Sequence, residues 1–590
     1  MKANTANNND GLSMITYVGD EAVLFAFDLD KSKLDKFAGF SIHCVAPKSD
    51  LFTTNEYFLK NRLNFSKHTP GSELVGSDKA PFQTFHWVHF PSVGPGEYQY
   101  TAYASYFKDN GNVELGPKIS TTVNLNYRAG FSNFEAGFTR GYISSQAFGD
   151  MFPGVKDIRP PGDKNSVDFD TSHFKKLYNW TGAHARKMVI DFLEESVADD
   201  SIFLDVFAYD LDEPDIIRYI GKKGDKVRLF QDNYIKTKKD EKTGKVTETG
   251  HGIDNSRETR AVAELRKKGV NVKGGCFRRF AHNKVIIQKK NNEPIKVLTG
   301  SANFSLRGLY VQANSVLIFD NADVANLYEQ AFEVAFSNAA AFTDVDKRRK
   351  PWKPFVSSPI SSKWYDIMDT NSLPRLSVSF APHKTSSISL EKVSEAIDSA
   401  SSSVLFAIME MKGKGPVMES LDDLAEKMID KKTDIVSLGT IQNDKELKLF
   451  KPGHKDHMAV ASFSYLKKSV PEPFRAEWSG GLGQVIHHKF VACDFNGKNP
   501  VVFCGSSNLA GGGEEENADN LLAIYDRKVA TLYAIEAIRL FDHYHFRTLQ
   551  AQGNNKKMTL KSDKSWTDDY YDSKNIKYHE RILLSSPLSQ

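Results

Sequence analysis

One short pattern of chemically useful residues occurs twice in the chain. A His-x-Lys triplet at 282–284 is followed by Gly-Ser-Ala-Asn at 300–303, and a second triplet at 487–489 is followed at the same spacing by Gly-Ser-Ser-Asn at 505–508. Such self-similarity at a fixed separation indicates an internal duplication. The two copies supply two imidazoles, two ammonium groups and two carboxamides. This set suits a pocket for one tetrahedral anion, and phosphate is the obvious candidate, because phosphoryl transfer needs an in-line nucleophile and donors around the equatorial oxygens.

The paired pattern resembles the HKD motifs of the phospholipase D superfamily, over roughly residues 170 to 545. The resemblance implies a phosphodiesterase that needs no metal and no cofactor. One motif histidine attacks phosphorus to form a phosphohistidine, and the other protonates the leaving oxygen and later activates water. The residues that the resemblance makes catalytic are His282, His487, Lys284, Lys489, Asn303, Asn508 and Asp519.

Two residues predict which histidine does which task. Asp519 follows the second motif at the offset at which Asn314 follows the first. A carboxylate raises the pKa of a neighbouring imidazole, whereas an amide only orients the ring. If each partner serves the histidine of its own motif, His487 is the better acid and His282 the better nucleophile. Both partners are also compatible with simple turn residues at the entry of a strand.

Further residues are predicted to contact the substrate, and one departs from the family pattern. The aspartate that completes the motif is present as Asp494 in the second copy, but Lys289 replaces it in the first. Since this acid is usually structural in the family, we expect activity to survive the replacement. The predicted substrate-binding residues are Ser301, Ser506, Asn314, Arg278 and Arg279, with packing or helix capping an equal alternative for the two serines.

Composition excludes several classes of protein. The 590 residues are 40% hydrophobic and 26% charged, with 77 basic and 74 acidic residues and a net charge of +3, as in a globular protein without a strong overall field. No apolar run is long enough to cross a membrane, and the polar amino-terminal stretch does not read as a signal peptide. The four cysteines show no CxxC spacing, so no zinc site is predicted. We therefore expect a cytoplasmic protein.

Turn residues and hydrophobic periodicity divide the chain into several parts. Short β-branched and aromatic runs predict an all-β sandwich that weakly resembles an immunoglobulin or fibronectin type III module. Alternating strands and helices then predict two pseudo-symmetric α/β repeats, with a mobile insertion at 235–254 in the first. The expected boundaries are a disordered 1–13, the sandwich 14–130, a connector 131–165, the repeats 166–350 and 351–550, and a tail 551–590 that packs on the catalytic domain.

The substrate is less certain than the chemistry. A nucleic-acid phosphodiester is the leading prediction, because the basic and aromatic run 277–280 precedes the first motif and suits a phosphate and a stacked base. The alternative is a phospholipase D or phosphatidyltransferase that acts on phospholipid head groups, with 474–482 as its apolar lip. A catalytically inactive binding scaffold is the third possibility. Both half-sites lie in one chain, so a monomer is sufficient.

Overall fold

The computed structural model of the chain describes residues 4–7, 10–49, 54–65, 74–91, 93–126, 130–141, 145–240, 243–409, 415–430, 432–441, 460–462, 486–552 and 559–586. Two antiparallel four-stranded sheets form the amino-terminal module, and two eight-stranded mixed sheets follow. The apolar lip predicted at 474–482 lies outside the described residues. Within the described residues, no helix has both the length and the apolar character needed to cross a membrane.

The amino-terminal module is the strand-rich unit that the sequence predicts. Its sheets have the strand orders β1-β2-β3-β8 and β10-β9-β4-β5, and aromatic side chains fill the space between them, with Phe27 of β3 stacked on Phe40 of β4 at 4.3 Å. Its strands are β1 Asn4–Asn7, β2 Leu12–Val18, β3 Val23–Leu29, β4 Phe37–Val45, β5 Glu56–Phe58, β6 Lys60–Asn61, β7 Val75–Gly76, β8 His86–His89, β9 Gly96–Phe107 and β10 Val113–Leu125.

The first repeat has the strand order β11-β19-β18-β17-β12-β13-β16-β20. Its strands are β11 Phe134–Phe138, β12 Ile202–Ala208, β13 Val227–Asp232, β14 Ile235–Lys239, β15 Val246–Gly250, β16 Asn271–Gly275, β17 Val285–Lys290, β18 Glu293–Gly300, β19 Ser315–Phe319 and β20 Ala340–Ala341. Its helices are α1 Ser145–Met151, α2 Lys175–Ala198, α3 Pro214–Lys223, α4 Arg257–Lys267, α5 Leu306–Tyr310 and α6 Ala322–Asn338.

The second repeat has the order β21-β22-β28-β27-β26-β23-β24-β25, which matches the first strand for strand from β22 onward. Its strands are β21 Tyr365–Ile367, β22 Leu376–Ala381, β23 Ser403–Ile408, β24 Val436–Ile441, β25 Val460–Ser462, β26 Lys489–Cys493, β27 Val501–Gly505 and β28 Asp519–Ile524. Helices α7 Trp352–Val356, α8 Ser387–Asp398, α9 Pro416–Ile429, α10 Gly511–Glu516 and α11 Arg527–Gln552 accompany them.

The central strands explain why the two sheets take this form. β23 is buried along its whole length and β12 at all but one residue, as expected of apolar strands in a sheet that is covered on both faces. β12 pairs with β13 in parallel and with β17 in antiparallel, and β23 makes the same pairings with β24 and β26. The predicted alternation of strands and helices is confirmed, and the sheets are mixed rather than purely parallel.

Two predicted boundaries need correction, and a predicted insertion contains regular structure. Asn4–Asn7, expected to be disordered, forms an edge strand that pairs with β2 through its backbone, and such pairing needs no apolar pattern that a sequence could reveal. The connector 131–165 contains β11, which pairs with β19 and so belongs to the first repeat's sheet. The insertion 235–254 contains an antiparallel hairpin, β14 with β15.

The tail contacts the sandwich as well as the second repeat. Its helices are α12 Asp568–Tyr571 and α13 Ile576–Ser585. Trp566 lies 5.4 Å from Phe37 and Tyr570 lies 4.8 Å from Phe85, between ring centroids, so the tail completes the aromatic core of the amino-terminal module. Asn496 of the second repeat donates to the carbonyl of Leu583 at 2.8 Å. The sequence predicts packing on the catalytic domain, and the contacts with the amino-terminal module are additional to that prediction.

Candidate active site

The fold brings the two His-x-Lys triplets face to face. The ring centroids of His282 and His487 are 6.4 Å apart, and both side chains are almost completely buried. Each triplet immediately precedes or opens a central strand, β17 or β26, so the duplicated topology places the two histidines at equivalent points. The sequence prediction that the two motifs form one site agrees with this geometry.

Two glycines shape the turn that follows each motif's neighbouring strand. Gly300 and Gly505 have φ values of 140° and 145°, in the region that disfavours a side chain. A Cβ atom at Gly300 would lie 2.3 Å from the carbonyl oxygen of Ser315, and one at Gly505 would lie 2.5 Å from that of Asn520. The glycines of the Gly-Ser-x-Asn pattern therefore permit the close approach of two strands at the edge of the site.

Each histidine takes its partner from the opposite repeat. His282 Nδ1 lies 2.8 Å from Asp519 Oδ1, and His487 Nδ1 lies 2.8 Å from Asn314 Oδ1. This arrangement overturns the expectation that each partner serves its own motif. The physical reason is that the repeats interlock: the amide of Ala518 donates to the carbonyl of Phe280 at 2.9 Å, and a parallel bridge joins Ala313 to Ile486.

The partners fix the tautomers of both rings. The amide nitrogen of Asn314 donates to the carbonyl of Gly308 at 2.8 Å, so its oxygen faces His487 and accepts from Nδ1. A carboxylate oxygen of Asp519 accepts from Nδ1 of His282 in the same way. In both rings Nε2 is the nitrogen left for chemistry. Asn314, which the sequence assigned both to substrate and to a motif histidine, is the partner of His487, and its contact with substrate stays a prediction.

The serines of the pattern support these partners. Ser301 Oγ donates to Asn314 Oδ1 at 2.9 Å and accepts from the amide of Ser315 at 2.9 Å. Ser506 Oγ accepts from the amide of Asn520 at 2.9 Å. Both hydroxyls are thus engaged within the protein. These bonds agree with the packing alternative given for the two serines, and their contact with substrate stays a prediction.

The two motif lysines lie buried beside the histidines. Lys284 Nζ donates to the carbonyl of His282 and lies 5.0 Å from the centre of the Tyr209 ring. Lys489 Nζ donates to the carbonyl of His487 at 2.8 Å and approaches Met409 Sδ at 4.0 Å. Burial lowers the pKa of Lys284 to about 8 and holds the pKa of Lys489 well below its usual value. The protonated lysines therefore lack enough negative charge around them.

The pKa values of the two motif histidines are lowered as well. Burial, with the ammonium groups of Lys284 and Lys489, holds the pKa of both His282 and His487 well below the ordinary value. For Asp519, burial raises the pKa to about 7, against the opposing effect of Lys284. A bound anion between the histidines would supply the missing charge, and phosphate carries that charge on several acceptor oxygens.

The side-chain amides of the two motif asparagines, Asn303 and Asn508, are only partly hydrogen-bonded among the described residues. One amide hydrogen of Asn303 is committed to Asp210, at 2.6 Å. The side-chain oxygens of Asn303 and Asn508 are buried and, among the described residues, have no hydrogen-bond partner. Tyr209 and Asp210 were not identified from the sequence. Their position directly after the central strand β12, at the edge where the motifs converge, is the signal from which they could have been found.

The basic residues before the first motif lie beside the site and are exposed. The guanidinium of Arg278 lies 4.9 Å from the Trp352 ring, and Arg279 Nε lies 3.4 Å from Glu516 Oε2. Lys289, which replaces the aspartate of the first motif, is mostly buried and forms ion pairs with Asp205 and Glu329. Asp494 accepts from the amides of residues 401–403, far from any motif chemistry.

Comparisons with known proteins give a matching family model and several similar solved structures. The family model described as the PLD-like domain of cardiolipin synthase matches residues 198–335 and again 393–540. A polyphosphate kinase from Porphyromonas gingivalis is 11% identical over 63% of this chain and 54% of its own, with a TM-score of 0.37, so the chain spans about half the length of that kinase. No curated protein sequence matches the chain significantly.

Two further solved structures are similar. The phospholipase D family member Nuc from Salmonella typhimurium is 18% identical over 26% of this chain and 89% of its own, with a TM-score of 0.20. A phosphatidylserine synthase from Haemophilus influenzae Rd KW20 is 12% identical over 68% of this chain and 91% of its own, with a TM-score of 0.38.

The family model and the geometry converge on the same residues. Each match of the model covers one repeat and contains one His-x-Lys triplet with its Gly-Ser-x-Asn turn. The two repeats share a strand order and bring their histidines together. The chain belongs to the phospholipase D superfamily.

Proposed function

We propose that this protein is a phosphodiesterase that works through a phosphohistidine on His282 and that its substrate is a nucleic acid. The carrying observation is the pair of buried histidines with ring centroids 6.4 Å apart, each with Nδ1 engaged by a partner. Two Nε2 atoms are thereby available on opposite sides of one phosphorus atom. The lysines supply the positive charge that metal ions provide in other phosphodiesterases. One chain contains the whole site, so a monomer is sufficient.

The carboxylate of Asp519 supports His282 as the nucleophile. When Nε2 of His282 forms its bond to phosphorus, the ring becomes cationic, and Asp519 on Nδ1 stabilises that charge. The bond from phosphorus to the leaving oxygen breaks as Nε2 of His487 gives that oxygen a proton. His487 then takes a proton from water, whose oxygen attacks phosphorus and breaks the nitrogen–phosphorus bond. The pairing observed across the repeats reverses the pKa argument made from the sequence, which alone would make His282 the better acid. His282 remains the proposed nucleophile because its carboxylate partner stabilises the cationic phosphohistidine.

The choice of nucleic acid rests on the surface beside the first motif. Arg278 and Arg279 are exposed, and the half-buried ring of Phe280 lies directly before Ala281 and His282. Guanidinium groups next to an aromatic ring suit a backbone phosphate with a stacked base. Among the described residues, large exposed hydrophobic side chains are scattered over separate elements instead of forming a membrane-binding lip: Leu115, Met151, Phe203, Val246, Met368 and Ile582.

A phospholipid substrate is the second candidate. Its support is the matching family model, whose description names cardiolipin synthase. In that case a phosphatidyl group would be transferred through the same two histidines, to water or to an alcohol. A non-catalytic binding scaffold, with the amino-terminal module as its recognition unit, is the third candidate. The immunoglobulin-like character of that module also remains a proposal.

The test compares substrates and variants in the presence of EDTA. Purified protein is incubated with bis(p-nitrophenyl) phosphate, single-stranded DNA, duplex DNA, RNA and phosphatidylcholine vesicles, beside His282→Ala, His487→Ala and the exposed control His173→Ala. We expect nucleic-acid cleavage that both active-site variants lose and the control retains. Cleavage of vesicles alone supports the phospholipase candidate. No turnover of any substrate supports the scaffold.

Trapping of the intermediate tests the order of the two histidines. Loss of the acid slows hydrolysis of the phosphoenzyme, so His487→Ala should accumulate acid-labile phosphate when given an activated diester. His282→Ala should accumulate none. Intact-protein mass spectrometry after rapid quenching distinguishes the two variants. Phosphate trapped on His282→Ala instead would make His487 the nucleophile.

A further inference from the structure

A third histidine lies behind the first motif and belongs to neither copy of the repeated pattern. His251 directly follows β15, the second strand of the hairpin insertion. Its ring engages two carboxylates at once: Nδ1 lies 2.8 Å from Asp232 Oδ2, and Nε2 lies 3.0 Å from Asp210 Oδ1. An imidazole that donates from both nitrogens must be the cation. Its side chain is 15% exposed and that of Asp232 is fully buried.

The charges around this ring agree with a cationic state. Burial by itself lowers the pKa of His251, but Glu258, Asp210 and Asp232 outweigh it and raise the pKa well above the usual value. Tyr209 also packs against the ring, at 4.6 Å between centroids. Asp210, His251 and Glu258 have the composition of a metal site. Both ring nitrogens already engage carboxylates, however, so the imidazolium is itself the cation of the cluster.

Each of the two carboxylates continues to the catalytic motif. Asp210 accepts from the side-chain amide of Asn303 at 2.6 Å. Asp232 Oδ1 accepts from the backbone amide of Ala281 at 2.6 Å, one residue before His282. Two chains of hydrogen bonds therefore start at His251, one through Asp210 and one through Asp232. One reaches the Gly-Ser-x-Asn turn and the other reaches the backbone that carries the proposed nucleophile.

The backbone of His251 and the face of its ring are held by further groups. The carbonyl of His251 accepts from Ser256 Oγ at 2.6 Å and from Thr259 Oγ1 at 3.2 Å, at the start of α4. Tyr209 stands between the two histidines, with its ring centroid 4.6 Å from that of His251 and 4.8 Å from that of His282. Backbone, carboxylates and an aromatic ring therefore leave His251 little freedom, as a positioning group requires.

We propose that His251 is a positioning residue of the phosphodiesterase site: its imidazolium clamps Asp210 and Asp232 so that Asn303 and His282 keep their places, and it offsets the charge of both carboxylates. The inference rests on the proposed function of His282. Without the clamp, Asp210 and Asp232 would act on His282 as unscreened negative charges. Both already act to raise the pKa of His282, so that pKa is expected to rise further.

The experiment compares His251→Gln, which removes the charge, with His251→Arg, which keeps a cation with several donors, and with His173→Gln as the exposed control. Turnover of bis(p-nitrophenyl) phosphate is measured against pH, and thermal unfolding is recorded for each variant. We expect kcat of His251→Gln to fall about 100-fold, as for other small displacements of reacting groups. The acid limb of the pH profile of His251→Gln should move to higher pH. Both changes should be smaller in His251→Arg.

A second readout does not depend on turnover. In protein labelled at histidine Cε1, the signal of His282 is identified by its loss in His282→Ala, and its titration is followed by NMR with and without inorganic phosphate. The pKa of His282 should rise in His251→Gln and less in His251→Arg. If parent and His251→Gln give the same His282 titration and the same phosphate affinity, the inference is wrong. If the parent turns over no diester while the His282 pKa still shifts, the proposed function fails and the positioning role stands.

Discussion

Asp519 of the second repeat lies 2.8 Å from Nδ1 of His282 in the first, while the residue at the same place in the first repeat, Asn314, reaches back to His487. The two repeats therefore exchange the groups that orient their histidines. A carboxylate on one side and a carboxamide on the other make a nearly symmetric fold chemically asymmetric. The functional unit is the pair of repeats, and neither half holds a complete site.

Replacement of Asp519 by Asn should separate activity from stability. The pKa of Asp519 is raised to about 7, so the activity of the parent is expected to fall as pH decreases through about 7, when the carboxylate takes up a proton. Asp519→Asn should lose that pH dependence and lower kcat by roughly 100-fold or more, because the charge on His282 is no longer stabilised. The pH profile of kcat measures both effects.

Ionisation of Asp519 should favour activity but reduce the stability of the fold. The folded-state pKa of Asp519 lies above the unfolded value of about 3.9, so the ionised carboxylate destabilises the fold above pH 7, and this penalty disappears below about pH 4. Asp519→Asn should therefore unfold at a higher temperature than the parent at pH 8, with no difference at pH 4. Asn314→Asp serves as the mirrored variant. A less stable Asp519→Asn protein at pH 8 would contradict the argument.

Binding of inorganic phosphate should be coupled to proton uptake. Lys284 has a pKa of about 8 because it is buried, and an anion beside it favours the charged form. Between pH 8 and 9, phosphate binding should take up protons, and affinity should fall as pH rises above 8. Calorimetry in two buffers with different ionisation enthalpies measures the uptake. Lys284→Met should reduce it, and equal heats in both buffers would count against a cationic anion site.

Asp494 should matter for stability and not for chemistry. Its carboxylate accepts from the backbone amides of Ser401, Ser402 and Ser403, which joins the end of β26 to the start of β23. Asp494→Ala is expected to cost about 2–3 kcal/mol of unfolding free energy, while kcat of the folded protein stays near that of the parent. Urea unfolding and kinetics at low temperature test both parts. Asp398→Ala, at the exposed end of α8, is the control.

His184 should hold the amino-terminal module on the first repeat. Its ring lies 2.7 Å from Asp20 of the module and 2.9 Å from Glu135 of β11. Burial opposes the charge, but the two carboxylates raise the pKa of His184 to about 10. His184→Gln is expected to destabilise the protein by about 3–5 kcal/mol.

The pH dependence of that loss follows from the raised pKa. The contribution of His184 is fully present below its unfolded pKa of about 6.5 and is lost as pH rises through about 10. The difference in unfolding free energy between parent and His184→Gln should thus shrink from pH 6 to pH 10.5. A constant difference over this range would show that packing, and not charge, holds the ring.

The salt dependence of DNA binding by an Arg279 variant tests the proposal of a nucleic-acid substrate. Arg279→Ala should raise KM for single-stranded DNA and reduce the slope of log affinity against log salt by about one, while kcat for bis(p-nitrophenyl) phosphate stays unchanged. Lys31→Ala, exposed in the amino-terminal module, is the matched control. An unchanged salt slope would remove Arg279 from the substrate surface.

The sequence predicts the parts of this protein that depend on local pattern. The duplicated triplets, the alternation of strands and helices and the strands of the sandwich all follow from residue types at fixed spacing. The partner of His282 does not, because Asp519 reaches it only through the interlocking of two distant segments. The role of His251 is equally hidden, since its two carboxylates come from the ends of β12 and β13 and meet only in the folded sheet.

Tyr571 donates a hydrogen bond to the carbonyl of Leu29 across 542 residues of sequence, and its neighbours Trp566 and Tyr570 complete the core of the amino-terminal module. During synthesis on the ribosome, the strands of that module emerge long before these aromatic residues exist. The core of the module therefore stays incomplete until both repeats have been synthesised. Its final packing is a late event of biosynthesis, and a chain that ends prematurely within the second repeat lacks the residues that complete its earliest part.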